Sequence, residues 1–373
     1  MKLLKKLFSP ISRLVKKDLV LFCETHHGSG SNVFALYSAF AGDSSIPFEC
    51  QLVCRDAKGL KERLRLETLL IRAKWIVQDH GGDKSYPGQK VIELWHGIPL
   101  KTMDGMTRTN HRSTTPLEVA RNVPDIVLSS SRLYETLLSA CRFIPASHYR
   151  RFGFPRLRWL QGDRKDARQI FSKAIGHPVS ASTKLLVWMP THRTRCPNGS
   201  AQPRFPLLFD QYLNDEVEHS LEKYDCLLVL KPHPNDEPWA REHANRPQSR
   251  IKLLTSQSYA SLVDDLYCLL PATDALITDY SSIYFDYLLL DKPIGFVIDD
   301  LEEYRRKRGF LLEPVTDWLP GHKIETSQQL IDFINDVGSQ HDPYQPDRDQ
   351  LCTTVYPDGI LDSAELLRRH VLK

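Results

Sequence analysis

The chain of 373 residues lacks several features that would assign it to a protein class at once. It has no run of about eighteen consecutive apolar residues, so the sequence predicts no helix that crosses a membrane. It has no signal peptide with a small-residue cleavage site, no low-complexity tract and no internal repeat. With 41% hydrophobic and 25% charged residues, the composition is typical of a soluble protein of two domains that stays in the cytoplasm.

Motifs for metal binding are also missing. The eight cysteines are scattered, with no CxxC pair and no Cys/His array at the spacing of metal ligands. The two closest, Cys50 and Cys54, flank three residues that look like part of a strand, and we expect reduced thiols without a disulfide. The sequence predicts no metal site and no certain cofactor, and it leaves open whether a divalent ion such as Mg²⁺ assists.

Two common kinds of active-site loop are absent as well. There is no Gly-x-Ser-x-Gly elbow, which argues against a serine hydrolase. The run HHGSG at 26–30 has neither a Walker lysine nor the GxGxxG spacing, so it resembles a phosphate loop only faintly. Adjacent histidines on an extended chain face opposite ways, so His26 and His27 are weak candidates for a shared metal.

The first seventeen residues, in contrast, are rich in positive charge and contain no acid. The whole chain has a net charge of +3, and residues 18–373 have a net charge of −3, because the leader holds six basic residues. Apolar residues recur in it at helical spacing, which predicts a helix at 1–17 with one apolar and one cationic face. We favour binding to an anionic membrane surface over packing on the protein's own core, since a packed helix needs no such excess of lysine. Pro10 would kink either helix.

The rest of the chain shows no basic stripe interleaved with aromatic residues. We therefore expect no nucleic-acid partner.

Apolar runs of strand length alternate with segments of helical length along the chain. Continuous apolar strands alternating with helices indicate parallel sheets that are covered on both faces. The sequence therefore predicts an α/β protein with two doubly wound, Rossmann-like domains facing a cleft. The predicted strands are Asp18–Cys23, Lys74–Gln78, Lys90–Trp95, Asp125–Leu128, Lys184–Met189, Cys226–Leu230, Ala275–Thr278 and Pro293–Ile298.

A change of composition after Phe152 places the boundary between the two domains. We predict the N-terminal domain at 18–160, a linker at 161–183 and the C-terminal domain at 184–345. A tail at 346–373 follows, which can cross back to the N-terminal domain.

Polar side chains follow the predicted strands where each strand ends. In open α/β sheets ligands bind in the crevice at the carboxyl ends of the strands, so these loops predict one site between the domains. His96 ends the run VIELWHG on a tight loop, where a neutral imidazole can accept a proton from an attacking hydroxyl. Taken alone, such a histidine is more often structural than catalytic.

Four further features indicate a site for phosphate. Ser281 or Ser282 would cap a helix whose first N–H groups bind an anion, although a plain N-cap is the commoner use. Two prolines hold His233 in the run KPHP at 231–234, either to meet phosphate or as a rigid surface turn. Arg193 offers a fork for phosphate oxygens or for a surface ion pair. Asp279 we interpret as a loop organiser or a group that binds a ligand hydroxyl.

Several motifs, read in order, are similar to those of the CDP-glycerol glycerophosphotransferase family, the polymerases and primases of teichoic acid and capsule. The resemblance covers about residues 18–340. The run PGH at 320–322 departs from the family's usual Pro-Gly-Pro, and the first loop reads ETHHGSGSN where many members carry a phenylalanine and a lysine. The similar motifs are ELWHGIPLK at 93–101, GFPR at 153–156, MPTHR at 189–193, KPHP at 231–234, TDYSSIYFD at 278–286 and Gly309–Phe310.

The resemblance implies a GT-B fold in which the N-terminal domain receives the acceptor and the C-terminal domain holds a nucleotide donor. It implies transfer of a polyol phosphate from a CDP-polyol to a lipid-linked or polymer acceptor, with release of CMP. His96 matches the family's proposed general base and His233 its second essential histidine. Arg193 matches the arginine after the first strand of the family's second domain, and Ser281 and Ser282 match its diphosphate-binding helix start. Our further donor-binding candidates are Lys231 and Asp279, and the acceptor-binding candidates are Gly28, Trp95, Gly97 and Lys101.

We therefore predict a CDP-polyol phosphotransferase, most simply one that uses CDP-glycerol, at the inner face of the cell membrane. The alternative is a GT-B glycosyltransferase that uses a sugar nucleotide in the synthesis of a surface polysaccharide. A third interpretation is a polymer-binding module without activity.

Overall fold

The computed structural model describes residues 12, 15–25, 31–56, 59–81, 86–106, 123–191, 211–243 and 249–372. The chain divides into two units. The first unit comprises Met1–Arg158 together with Thr354–Lys373, and the second comprises Trp159–Thr353.

The first unit is built on a six-stranded sheet in which every neighbouring pair of strands is parallel. The strand order is β2-β1-β3-β4-β5-β6. Its strands are β1 Lys17–Glu24, β2 Glu49–Cys54, β3 Ala73–Gln78, β4 Lys90–Glu93, β5 Ile126–Leu128 and β6 Tyr149–Arg150.

The second unit contains another six-stranded parallel sheet. Its strand order is β12-β11-β10-β7-β8-β9, which is the order of a classical dinucleotide-binding domain. The strands are β7 Lys184–Trp188, β8 Cys226–Leu230, β9 Ile251–Leu253, β10 Ala275–Thr278, β11 Ile294–Val297 and β12 His322–Ile324.

Helices connect the strands of both sheets. Polar caps set several of their ends: Ser131 accepts a hydrogen bond from the backbone N–H of Tyr134, and Thr326 forms a capping box with Gln329. The helices are α1 Ser31–Ala41, α2 Leu60–Arg72, α3 Arg132–Arg142, α4 Arg164–Ile175, α5 Asp215–Lys223, α6 Glu237–His243, α7 Ser256–Tyr259, α8 Ile283–Tyr287, α9 Leu301–Lys307, α10 Ser327–Ser339, α11 Gln345–Val355 and α12 Ser363–His370.

Each sheet has a hydrophobic core on both faces, because successive side chains of a strand point to opposite sides. In β1, Val20 and Phe22 pack in one core, while Leu19 and Leu21 pack in the other. Leu367 of α12 lies in the same core as Phe22, so the end of the chain helps to cover the first sheet. The structure thus has the two covered parallel sheets that the alternation of apolar runs predicts.

The segment 161–183 differs from the linker that its charged composition suggested. It contains α4, and the apolar face of this helix, including Phe171, is buried in a core of the second unit. Arg168 of α4 is itself buried and binds Asp274 and the carbonyl of Ala272. The charged Arg168 therefore helps to hold α4 against the second unit, and composition alone does not reveal this.

Within the described part of the chain, no helix is both long enough and apolar enough to cross a membrane. The predicted amphipathic helix at 1–17 lies almost wholly outside the described residues. The described end of that segment is anchored, since Lys16 donates from Nζ to the carbonyl of Ile71 at 2.8 Å.

Candidate functional site

The strand order of each sheet reverses at one place, and open α/β sheets bind their ligands beside that switch point. In the first sheet the reversal lies between the neighbouring strands β1 and β3. The chain continues from β1 to β2 on one side of this pair and from β3 to β4 on the other. The residues that follow β3 are Asp79 and His80, and the neighbouring strand β4 leads into Trp95 and His96. His80 follows a strand of the switch point and His96 follows the strand beside it, so the two histidines come to one edge of the sheet.

His96 is presented by a turn with unusual backbone angles. Trp95 has a φ of 54°, in the left-handed region that side chains other than glycine seldom adopt, and Gly97 has a φ of 137°. Such an angle costs about 1–3 kcal/mol for a bulky residue and persists only where the surroundings fix it. The turn is therefore a place where surrounding contacts must compensate for backbone strain.

Those contacts come from four side chains in different parts of the first unit. Asn32 donates from Nδ2 to the carbonyl of Trp95 at 2.9 Å, and the carboxylate of Glu93 accepts the N–H of Trp95 at 3.1 Å. The guanidinium of Arg142 lies 4.8 Å from the centroid of the Trp95 ring. Arg156, in the motif GFPR, donates to the carbonyl of His96 at 3.0 Å. The backbone on both sides of the imidazole is thus fixed.

The ring of His96 has a defined tautomer. Its Nδ1 lies 3.0 Å from the backbone carbonyl of Asp79, and because a carbonyl only accepts, Nδ1 carries the proton. Desolvation, followed by the charge of His80, lowers the pKa of His96 to about 4. His96 is exposed, so water weakens this desolvation. Because the pKa is lowered from an ordinary value of 6.5, the imidazole is neutral at pH 7. Nε2 then presents a lone pair that can accept a proton.

His80 stacks on His96, with ring centroids 4.5 Å apart and planes at 16°. Its Nδ1 lies 2.6 Å from Oδ1 of the buried Asp79 carboxylate. Burial of the ring lowers the pKa of His80, but the hydrogen bond to Asp79 and the charges of Asp79 and Glu93 outweigh this effect and raise the pKa above 6.5. His80 is therefore the more readily charged of the two histidines.

Glu93 is fully buried below the turn. Its Oε1 accepts the N–H of Trp95 and its Oε2 accepts the side-chain amide of Gln78 at 3.2 Å. Desolvation raises the pKa of Glu93 to about 7, against the opposing charge of Arg142. This carboxyl group therefore changes its charge near neutral pH, although no water reaches it.

The switch point of the second sheet lies between β7 and β10. Asp279, directly after β10, accepts the backbone N–H of Thr191 at 3.0 Å and also binds its hydroxyl group. Thr278 donates to the carbonyl of Met189 at 2.7 Å. Asp279 is 2% exposed, so it joins the two loops at the switch point, as expected of a loop organiser.

Lys231 points into the second unit rather than into solvent. Its side chain is 6% exposed, and Nζ lies 2.7 Å from the carbonyl oxygen of Pro232 and 3.4 Å from the carboxylate of Glu237. Burial lowers the pKa of Lys231, while Glu237 opposes this shift. In this geometry Lys231 fixes the KPHP loop and does not present its charge at the surface.

His233 is exposed and begins a short 3₁₀ turn at Pro234–Asp236. Its Nδ1 accepts the backbone N–H of Asn235 at 3.2 Å. The neutral ring therefore carries its proton on Nε2, and this N–H is the group that suits a phosphate oxygen.

The predicted capping by serine is wrong for Ser282. It occupies the N-cap position of α8, but its hydroxyl makes no capping hydrogen bond, because its backbone already has helical angles. A cap accepts the N–H of a later residue from an extended backbone, and this geometry is missing here. Ser281 and Ser282 are both partly exposed next to Asp279.

Two predicted site residues, Gly28 and Arg193, lie outside the described residues. Lys101 is partly buried and lies in the same described segment as Gly97. Within the described ranges, no group of three or more His, Cys, Asp or Glu side chains is arranged to hold a metal ion.

Sequence reasoning missed Asn32, His80, Glu93 and Arg142 as parts of the His96 environment. Asp79 and His80 directly follow a predicted strand, so the rule that singled out His96 also applies to them. Asn32 is 63 residues from Trp95 and carries no local signal of its role.

Comparison with known proteins identifies the family. The model of the CDP-Glycerol:Poly(glycerophosphate) glycerophosphotransferase family matches residues 7–358. Teichoic acid poly(ribitol-phosphate) polymerase of Bacillus spizizenii is 26% identical over 289 residues, which are 76% of this chain and 44% of that protein. Teichoic acid glycerol-phosphate transferase of Staphylococcus aureus is 24% identical over 365 residues, which are 90% of this chain and 88% of that protein.

The chain spans about half the length of the ribitol-phosphate polymerases that it matches, at 44% and 53%. A solved structure of the wall teichoic acid polymerase TagF is similar, with a TM-score of 0.75 at 18% identity, and covers 99% of this chain and 92% of that one. This likeness confirms the predicted α/β fold of GT-B type with two Rossmann-like domains. Because the family model matches nearly the whole chain, the protein belongs to the CDP-glycerol:poly(glycerophosphate) glycerophosphotransferase family.

Proposed function

We propose that the protein transfers a polyol phosphate, most simply glycerol phosphate, from a CDP-polyol to a hydroxyl group of a lipid-linked or polymer acceptor. The acceptor oxygen attacks the β-phosphorus, a new P–O bond forms, and the bridging P–O bond to CMP breaks. The proton of the acceptor hydroxyl passes to Nε2 of His96, and CMP leaves with the electron pair of the broken bond.

One observation carries this proposal: the hydrogen bond between Nδ1 of His96 and the carbonyl of Asp79. It fixes the tautomer in which Nε2 is the acceptor, on a neutral ring beside the switch point of the first sheet. A general base needs this combination of geometry and protonation state. The names of the similar proteins, which are polymerases and transferases of polyol phosphates, support the reaction class.

For the donor we propose residues of the second unit. Negative charge builds on the phosphate oxygens and on the departing CMP, so donors of hydrogen bonds stabilise the transition state. Nε2–H of His233 is the first candidate, and the hydroxyl groups of Ser281 and Ser282 and the guanidinium of Arg193 are further ones. Since Lys231 is buried against Glu237, we assign it the positioning of the KPHP loop.

The test is release of CMP by the purified protein from CDP-glycerol and CDP-ribitol, with lipid-linked acceptors present and UDP-sugars as comparison. His96→Ala should lower the rate about 10²- to 10⁴-fold, as removal of a general base does. His219→Ala is the matched control, because His219 is an exposed histidine on α5. Turnover of a UDP-sugar alone would instead make the protein a glycosyltransferase, and full activity of His96→Ala would remove the proposed base.

We also propose that the protein works on an anionic membrane surface at the inner face of the cell membrane. Besides the basic segment 1–17, the exposed start of α2 supports this: Leu60 is 75% exposed and Leu64 is 50% exposed, one helical turn apart. Lys61, Arg63 and Arg65 accompany them and favour anionic headgroups.

The seven described cysteines are free, which fits a reducing compartment.

Sedimentation with vesicles tests this surface. The protein should bind vesicles with anionic phosphatidylglycerol and not vesicles of phosphatidylcholine alone. Leu60→Ser combined with Leu64→Ser should weaken binding, whereas Leu262→Ser, at a position 38% exposed in the second unit, should not. Equal binding by all variants would remove α2 from the membrane contact.

A further inference from the structure

His80 and His96 form a stacked pair that the proposed reaction does not by itself require. The two rings are nearly parallel at 4.5 Å, so each limits the rotation of the other. His96 also stacks on the ring of Trp95, with centroids 4.4 Å apart. The imidazole of His96 therefore stacks on two rings, and its hydrogen bond to the carbonyl of Asp79 limits rotation within the plane of the ring.

Asp79 supplies the reason for a charge on His80. Its carboxylate is 1% exposed, and Oδ2 has no hydrogen-bond partner among the described residues, while Oδ1 lies 2.6 Å from Nδ1 of His80. A buried carboxylate needs a compensating cation, and the half-exposed His80 can bind a proton from solvent. The arrangement therefore favours an imidazolium at position 80.

We propose that His80, paired with Asp79, is a positioning residue for His96. Its ring fixes the plane of the His96 imidazole, and its positive charge keeps His96 in the unprotonated form that accepts the acceptor's proton. This inference rests on the proposed function for the role of His96 in catalysis, but the coupling between the two rings can be measured without turnover.

Other charged groups near the pair do not replace His80. Glu93 lies on the same segment as His96, and its carboxylate accepts the backbone N–H of Trp95. Arg156 binds the backbone carbonyl of His96, and Arg142 stacks over the Trp95 ring. The charges of His80 and Arg156 both lower the pKa of His96, and the effect of His80 is the larger of the two. The stacked histidine is therefore the charge to remove.

The first experiment is an NMR titration of His96 in protein labelled with ¹³C-histidine, with its signal assigned from the His96→Asn variant. His80→Phe keeps an aromatic ring on His96 and removes the charge. The midpoint of the His96 titration should rise by about one pH unit or more, the effect of losing one cation at 4.5 Å in a partly screened site. An unchanged midpoint would overturn the inference.

The second experiment is the pH dependence of kcat/KM for release of CMP, which reports the titration of His96 in the free protein. In His80→Phe the loss of activity on the acid side should move to higher pH by the same amount, and the plateau should fall less than in His80→Asn, because a ring still stacks on His96. His80→Asn, which lacks both ring and charge, should show the same movement and also a lower plateau. A merely structural role would lower the plateau without moving the acid limb.

A further variant guards against misfolding, because His80→Phe leaves the Asp79 carboxylate unpaired. Asp79→Asn with His80→Phe removes both charges and keeps the backbone carbonyl that binds His96. Its acid limb should also lie at higher pH than that of the wild type, and an unmoved limb in a folded double variant would contradict the inference. If the wild type releases no CMP, the proposed function fails, and the NMR titration still decides the coupling.

Discussion

Asn32 donates from its side-chain amide to the carbonyl of Trp95 at 2.9 Å and accepts the backbone N–H of Arg156 at 3.1 Å. Both partners belong to other parts of the first unit, and Asn32 itself is 1% exposed at the start of α1. One side chain therefore joins a helix start, the left-handed turn before His96 and the motif GFPR. We expect this contact to position the proposed base.

Asn32→Ala should lower kcat about 10- to 100-fold with a smaller effect on KM, because a small displacement of a catalytic group has effects of this size. The unfolding free energy should also fall by about 1–3 kcal/mol, since Trp95 and Arg156 lose buried hydrogen bonds. Steady-state rates and urea unfolding measure both effects.

The matched control is Asn214→Ala. Asn214 caps α5 by accepting the N–H of Val217 at 3.0 Å, far along the chain from the turn. Its loss should cost about 1 kcal/mol of stability and leave the rate per folded molecule unchanged. A wild-type kcat in Asn32→Ala would show that the other contacts hold the turn without it.

Most of the two sheets could be predicted from the sequence, because a buried parallel strand appears as a continuous apolar run. Each predicted strand overlaps a strand of the structure, and its ends differ from the observed ends by at most two residues. Four edge strands are absent from the predicted set: β2 was indicated only by the strand-like residues between Cys50 and Cys54, and β6, β9 and β12 are two or three residues long. Segments so short have no periodicity to detect.

The site was less predictable. The rule that ligands meet strand ends was sufficient to single out His96 and Asp279. It did not show that Lys231 turns inward to Glu237, because the direction of a long side chain depends on partners distant in sequence. The contact from Asn32 to Trp95 spans 63 residues and depends on the folded sheet, so no local pattern indicates it.

Glu93 should make the stability of the protein depend on pH. The pKa of Glu93 is about 7 in the folded protein, against an ordinary value of 4.5. The folded protein therefore holds a proton that the unfolded chain releases, and the unfolding free energy falls as pH rises from about 4.5 to 7. The fall amounts to ~3 kcal/mol and is complete above pH 7.

Glu93→Gln should remove this contribution, so that the stability lost between pH 5 and pH 8 is ~2–3 kcal/mol smaller than in the wild type. Urea unfolding at both pH values measures it. Glu49→Gln, at an exposed position on β2, is the control and should behave as the wild type does. The same pH dependence in Glu93→Gln as in the wild type would argue against a raised pKa.

Lys231 and Glu237 should be coupled in stability, because both are nearly buried. Glu237→Ala leaves the ammonium group without its carboxylate and should cost about 3–5 kcal/mol in urea unfolding. Lys231→Met in the same chain should recover part of this loss, since it removes the uncompensated charge. The exposed pair of Glu303 and Lys307 on α9 is the control, where Glu303→Ala should cost about 0.5 kcal/mol or less. Additive losses in the double variant would contradict the coupling.

Gly321 should tolerate no side chain, although its backbone is not left-handed. A Cβ atom at this position would lie 2.0 Å from the carbonyl oxygen of Ile294 and 3.1 Å from the ring of Phe296. The obstacle is the backbone of β11, which pairs with β12 directly after Gly321, so the strands must move apart. Gly321→Ala should therefore lower the unfolding free energy by about 1–3 kcal/mol, as overpacking of a core does.

Gly42→Ala is the control for this prediction, because a Cβ atom at Gly42 meets nothing within 4 Å. Its unfolding free energy should stay within about 0.5 kcal/mol of the wild type. Urea midpoints of the two variants give the comparison, and equal midpoints would mean that β11 and β12 can separate at little cost. The expected difference would give a physical reason for glycine in the run PGH: its neighbour across the sheet is a backbone carbonyl that cannot move aside alone.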